Sequence, residues 1–212
     1  MKKISRNVAM FVMRLWSRVF SYNTSTWLKN KRDVLYSLWI RNFLGSMGNG
    51  SMISYPCNLR GGGAKFITIG EGTLIQGHCI LGAWMEYAGE HFSPSITIGD
   101  GCSIGEHTHI TSINKVTIGD GLLTGRYVYI GDNSHGGFSR EEANIPPIRR
   151  KLQSKGEIVI GNNVWIGDKA TVLSGVNIGD NVIVAANSVV TKNVPCNTMV
   201  AGCPAEIVKQ LE

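Results

Sequence analysis

Ile160-Gly161-Asn162-Asn163-Val164-Trp165-Ile166-Gly167-Asp168, with Ile178-Gly179-Asp180 twelve residues after Ile166, is the stretch that decides the fold. An aliphatic residue, a glycine and an acid or amide recur here at multiples of six. The same phrase opens at Ile69, Ile98, Ile104, Ile118 and Ile130. A fixed short period marks one structural unit stacked on itself. The first residue of each hexad is aliphatic, as at Ile104, Ile110, Val172, Val184 and Val190. The fifth is often small, as at Thr73, Cys102, Thr108, Ala170 and Ser188. Glycine and Asp, Asn or Glu suit the turn that follows, because Gly and Asn tolerate positive φ. Three hexads make one triangular coil of short parallel strands.

Upstream of Ile160 the count fails twice. Ile69 and Ile98 lie 29 residues apart, and Ile118 and Ile160 lie 42 apart. The surplus predicts two excursions from the coil, about 83–93 and 135–157. The second contains Gly136-Gly137, Pro146-Pro147 and Arg149-Arg150-Lys151. Prolines remove ladder donors, so this segment cannot continue the coil. Loops this long inside a compact domain are functional or disordered.

The net charge of +6 comes from one end. Residues 1–45 carry nine Lys/Arg and a single acid, Asp33, leaving a slightly acidic remainder of twelve basic and fourteen acidic groups. No basic stripe on the repeat body calls for nucleic acid. Val8, Phe11, Val12, Leu15, Trp16, Val19 and Phe20 follow a helical stripe, with Arg6, Arg14 and Arg18 beside it. A second helix is expected from about Trp27 to Leu44, capped by Thr24, Ser25 or Thr26 and followed by Gly45. These helices suit either of two compatible roles: closing the open first coil, or lying on an anionic membrane surface. The expected organisation is therefore 1–50 as a basic amphipathic helical segment, 51–205 as the repeat domain and 206–212 as a tail. Five cysteines without CxxC spacing argue for reduced, mostly packed thiols and against a disulfide framework or zinc finger. Arg14 and Arg18 interrupt any signal-like apolar run. The expected location is cytoplasmic, peripheral to the inner membrane face if the helices adsorb.

The repeat resembles the hexapeptide-repeat acyltransferases, whose fold is an all-β, left-handed parallel β-helix. The string Ile130-Gly131-Asp132-Asn133-Ser134-His135-Gly136-Gly137 is similar to the catalytic segment of the family's sugar and xenobiotic O-acetyltransferases. The resemblance implies a general base at His135, where the long acceptor loop leaves the coil. Histidine suits that role, because a sugar hydroxyl is a poor nucleophile and imidazole ordinarily titrates near neutral pH. The resemblance further implies acetyl-CoA as co-substrate with no metal, and a homotrimer with active sites between subunits. Coenzyme contacts would come from Trp165, Gly167 and Asp168, from Ala185, Ala186, Thr191 and Lys192, and from Ala201, Gly202, Pro204 and Lys209. Glu206 stands where sugar acetyltransferases tend to carry an arginine. On the acceptor side the implied residues are Gly105, His107, His109, Asn114, Asp132 and Asn133. Gly105 occupies the position of an acceptor-binding asparagine in enzymes of the maltose and galactoside type. The string His107-Thr108-His109-Ile110-Thr111-Ser112 looks more like the acetyltransferases of capsule and O-antigen assembly.

The expected function is O-acetylation of a sugar hydroxyl in polysaccharide or glycan biosynthesis. N-acetylation of an amino-sugar nucleotide or another small amine is the alternative on the same fold. Zinc enzymes of this fold need three converging histidines; His107 and His109 are two apart, and no third follows at the longer spacing. A non-catalytic scaffold would show no thioester cleavage.

Overall fold

Each aliphatic residue that opens a hexad points inward, and the three inward columns meet in one core. Ile69, Ile98, Ile118, Ile160 and Ile178 form one column. Ile53, Ile75, Ile104, Ile166 and Val184 form the second, and Leu81, Ile110, Ile130, Val172 and Val190 the third. Burying each such side chain is worth about 1.5–3 kcal/mol. The computed structural model describes residues 3–137 and 139–211, and its coils stack as a three-sided parallel β-helix.

The outward residues distinguish the three faces. The threonine face is a six-stranded parallel sheet from Ser46–Met47 to Asn177–Ile178, with Thr68, Thr97 and Thr117 in register on its outside. The tryptophan face carries Leu74, Ser103, Leu123, Trp165 and Ile183 in register. The histidine face carries Ile80, His109, Tyr129, Thr171 and Val189. His109 therefore pairs with Tyr129.

The phrase itself turns on different physics from that expected. Positive φ falls three residues after the isoleucine, at Gly72, Gly101, Gly121, Asn163 and Asn181, and not at the glycine beside it. That adjacent glycine is required by stacking: a Cβ at Gly70, Gly99 or Gly119 would run into the backbone of the next coil. The acid or amide caps the coil before it. Asp100 Oδ1 accepts from the Glu71 amide at 2.7 Å, Asp120 Oδ1 from Asp100, Asn162 Oδ1 from Asp120 and Asp180 Oδ1 from Asn162. A ladder of side-chain rungs thus satisfies turn amides that neither strand nor core can reach.

Two helices precede the coils, α1 (Lys3–Val19) and α2 (Tyr22–Ile40). Ser21 caps α2 by accepting from the Thr24 amide, one residue before the helix and three or more before the residues expected to cap it. The inner side of α2 closes the first coil. The Ile53 amide donates to Ser37 Oγ at 3.0 Å, the Tyr55 amide to Asp33 Oδ1 at 3.4 Å and the Cys57 amide to Tyr36 Oη at 3.0 Å. Coil pairing starts at Ser46, ahead of the expected residue 51. At the other end the expected tail is a strand: Ala205–Gln210 folds back antiparallel on Thr198–Gly202, covering the last edge of the tryptophan face.

Candidate active site

His135 belongs to a two-residue strand, Ser134–His135, that leaves the coil and pairs antiparallel with Leu152–Gln153. The second excursion is therefore a hairpin with a fixed base. Its neck is tied by the Gly136 amide to Lys151 O at 2.8 Å, the Gly137 amide to Glu142 Oε2 at 2.6 Å and Gln153 Nε2 to Glu142 Oε1 at 3.2 Å. Gly136 has a φ of 75°, which a residue with a Cβ adopts at a cost.

The first excursion grips the second. Ala83 remains in the coil strand, wholly buried, so the departure begins at Trp84. A small hairpin, Glu86–Tyr87 with Glu90–His91, follows. Tyr87 meets the His135 ring edge to face at 5.1 Å, and its hydroxyl donates to Ile148 O at 2.9 Å. Lys151 pairs with Glu90. Trp84 Nε1 donates to Thr111 Oγ1 at 3.1 Å. Between the two excursions and the histidine face lies a cleft of about 730 Å³. It is lined by His135, His109, Asn133, Thr111 and Tyr129 together with Trp84, Tyr87, Ile148, Leu152 and Leu173. A mostly apolar wall with a few convergent polar groups is the usual form of a small-molecule site. A larger hollow, about 940 Å³, lies between α2 and the lower coils beside His78 and Glu106. It contains no pairing of a histidine with an excursion.

His109 is the second imidazole in the cleft. It lies edge to face with Tyr129 at 5.4 Å. Burial, with the Arg60 guanidinium adding to it, lowers its pKa below the ordinary 6.5. Burial also raises the Tyr129 phenol, and the Asp132 carboxylate pushes it the same way. His109 is thus favoured in its neutral form, able to donate and accept. A Cβ at Gly131 would displace the Tyr129 ring, whose outer edge lies across the place it would occupy.

Of the acceptor-side candidates, Asn133 and His109 share the cleft with His135, and four others do not. Asp132 is wholly buried. Its carboxylate accepts from Ser112 Oγ at 2.6 Å, the Ile113 amide at 2.9 Å and the Asn114 amide at 3.0 Å. It pins the corner from which the hairpin departs and has no face left for a substrate. Asn114 lies outside the cleft. Gly105 is buried against the Gly125 backbone, where no side chain fits. His107 sits at another corner of the prism, stacked between His78 at 4.7 Å and Tyr127 at 4.6 Å.

The coenzyme candidates divide in the same way. Gly167, Asp168, Ala185 and Ala186 turn the corner between the tryptophan and histidine faces, with Trp165 exposed on the tryptophan face beside them. Ala201, Gly202 and Pro204 form the neighbouring hairpin, and Lys209 lies on its returning strand. Small side chains there leave backbone open to an extended thioester arm, so the residues fit that ligand. Two are also structural. Asp168 Oδ1 accepts from the Arg126 amide at 2.8 Å, and a Cβ at Gly167 would meet Ala186. Lys192 pairs with Glu206 at 3.3 Å, both exposed, an interaction weak enough in water to yield to a phosphate. Thr191 alone of this group lies near the hairpin base, lining a hollow with Asn133, Ser134 and Leu173.

Sequence reasoning alone misses Trp84, Tyr87, Thr111, Ile148, Leu152 and Leu173. The one usable signal is Trp84-Met85-Glu86-Tyr87, an aromatic pair at the start of a counted excursion. Among the described residues, no group of three or more His, Cys, Asp or Glu converges as a metal site.

Residues 157–192 match the family model described as bacterial transferase hexapeptide (six repeats). The chain is 39% identical to WbbJ of Escherichia coli (strain K12), a protein assigned to lipopolysaccharide biosynthesis as an O-acetyl transferase; the match covers 89% of this chain and 90% of that one. It is 32% identical to the galactoside O-acetyltransferase of Escherichia coli (strain K12) over 69% of this chain and 64% of that one. Among solved structures, AntD, an N-acyltransferase from Bacillus cereus in complex with dTDP and 3-hydroxybutyryl-CoA, superposes with a TM-score of 0.63. It shares 21% identity and covers 82% of this chain and 87% of that one. Fold and sequence together define an acyltransferase built on the left-handed parallel β-helix. The chain belongs to the hexapeptide-repeat acetyltransferase family.

Proposed function

We propose that this chain transfers an acetyl group from acetyl-CoA to a sugar hydroxyl in glycan or polysaccharide biosynthesis, with His135 as general base. The placement of His135 carries the reading: an exposed imidazole, held edge-on by Tyr87, opening into an aromatic-walled cleft. The name of WbbJ, similar over nearly the whole chain, supports it. His135 takes the proton of the acceptor hydroxyl as its oxygen attacks the acyl carbon, then returns it to the departing sulfur. Backbone amides at the coil edge would steady the negative oxygen between those steps. Asn133 and neutral His109 orient the acceptor, and the apolar faces of Trp84 and Tyr87 receive its ring carbons. Trp165, Ala185, Ala186, Gly202 and Lys209 would hold the coenzyme arm. Acetyl-CoA is a cytoplasmic metabolite, so the reading puts the work on the cytoplasmic side of the membrane.

A homotrimer belongs to this proposal. In one chain the ledge at Trp165 and Ala186 and the base at His135 lie at different corners of the prism. A neighbouring subunit would bring the two together, and His107 with them.

His135→Ala should lower transfer by at least ~100-fold, the usual range for a lost general base, with coenzyme A affinity in calorimetry unchanged. Wild-type turnover in that variant would sink the assignment. Acceptors offered as matched hydroxyl and amine forms of one sugar test the bond formed, and transfer to the amine alone would replace O- with N-acetylation.

A further inference from the structure

Helix α1 buries none of its described side chains. Every side chain described along it, from Arg6 to Val19, is exposed. Its stripe is nonetheless apolar: Phe11 is 64% exposed, Trp16 58% and Val19 70%. Side chains of that size are ordinarily taken out of water. The outer side of α2 repeats the pattern. While Asp33, Ser37 and Ile40 close the first coil, Leu28, Leu35 and Trp39 line an open hollow together with Lys31 and Arg32.

Charge decides the occupant. Nine cations and one acid lie in residues 1–45. The acid, Asp33, is already engaged by Arg32 at 2.8 Å and by the Tyr55 amide. A second copy of the same surface would bring cations against cations. A negatively charged lipid surface accepts the apolar stripe and the cations at once. Lys31 lies over the Trp27 ring at 5.8 Å and Trp16 stacks on Phe20 at 4.6 Å, and Trp, Lys and Arg are the residues that anchor at membrane interfaces. No helix among the described residues is long and apolar enough to cross a membrane.

We propose that α1 and the outer side of α2 form a docking surface for an anionic lipid bilayer, with α1 lying in the interface plane. This inference does not depend on the acetyltransferase reading, because lipid binding is read without turnover.

The full chain is sedimented with vesicles of phosphatidylcholine alone and of phosphatidylcholine mixed with phosphatidylglycerol. Binding should require phosphatidylglycerol and weaken as salt rises. Arg14→Gln with Arg18→Gln, and separately Phe11→Ser with Trp16→Ser, should each reduce the partition coefficient on the order of tenfold. Acetyl transfer to a soluble acceptor should be unchanged in both. No binding to the anionic vesicles at low salt, or equal binding by wild type and both variants, overturns the proposal. So does a change of oligomer mass in the Phe11/Trp16 variant, which would mean that a second copy covers the stripe.

Discussion

At the scale of single residues the site depends on contacts that hold rings in place. Tyr87 fixes the His135 plane by its edge and is itself fixed by Ile148 O. Tyr87→Phe should stay within a few-fold of wild-type kcat, whereas Tyr87→Ala should lose about tenfold or more, because small misplacements of a catalytic group are expensive; steady-state kinetics on the two variants decides between ring and hydroxyl. Asp132 is a different case. Its removal leaves the buried Ser112 Oγ and Ile113 amide, and the part-buried Asn114 amide, without their acceptor, at a cost of about 3 kcal/mol. Asp132→Ala should therefore lower the melting temperature and the activity together. An unchanged melting temperature with a raised acceptor KM would return Asp132 to the substrate. His109 couples the site to pH. Its folded pKa is lowered, so the unfolded chain binds more protons than the folded one across the interval below 6.5. The stability His109 contributes is present above 6.5 and is lost as pH falls through that interval. Denaturant titrations should show a shallower acid loss for His109→Gln than for wild type.

Elements show which parts of the chain a sequence can display. The coil is legible because each hexad solves the same local problem, and even the acid of the phrase has a repeated role in the corner ladder. In the sequence that role reads as turn propensity, since the rung joins Asp100 to Asp120, residues that become neighbours only after stacking. Asp120→Ala removes one rung and should cost about 1 kcal/mol by chemical denaturation; no loss would mean that water replaces the carboxylate freely. The two excursions can be counted from the missing hexads, and His135 can be placed at the second. That Tyr87 clasps His135, and Lys151 pairs with Glu90, cannot be read, because contacts across the two excursions leave no period. Gly105 and Asp132 fall to the acceptor in the sequence for a related reason. A motif specifies residue types, whereas burial under Gly125 or beneath the Asn114 amide belongs to the register of the finished coil. The cysteines are mostly packed thiols, as expected: three of the five are buried. Burial pushes Cys57 up to about 12 and Cys79 to about 11, while Cys196 and Cys203 are exposed. A thiol reagent added to the native protein should label the exposed pair and leave Cys57, Cys79 and Cys102 until denaturant is added.

For the molecule as a whole, the unequal faces bear on how subunits would meet. The threonine face carries hydroxyls and suits solvent. The tryptophan and histidine faces carry Leu123, Trp165, Ile183, Tyr129 and Val189, and the corner between them carries the exposed stack of His107 and Tyr127. A closed ring of three joins unlike surfaces, one face of each subunit against a different face of the next. Such a ring would set the coenzyme ledge of one subunit across from the His135 hairpin of its neighbour. Light scattering should then give three times the chain mass of 23.1 kDa, and Leu123→Glu should lower that mass and the activity together. The sharper test is complementation. His135→Ala leaves the ledge intact, and Ala186→Glu leaves the base intact while blocking the ledge; each alone should be inactive. When the two variants are refolded together in equal amounts, about a quarter of the sites would draw a sound base from one subunit and a sound ledge from the next. Recovery of turnover on mixing supports a site shared between chains. If the mixed trimers form and stay inactive, base and ledge must act within one chain, and the trimer would be an assembly without a part in the chemistry.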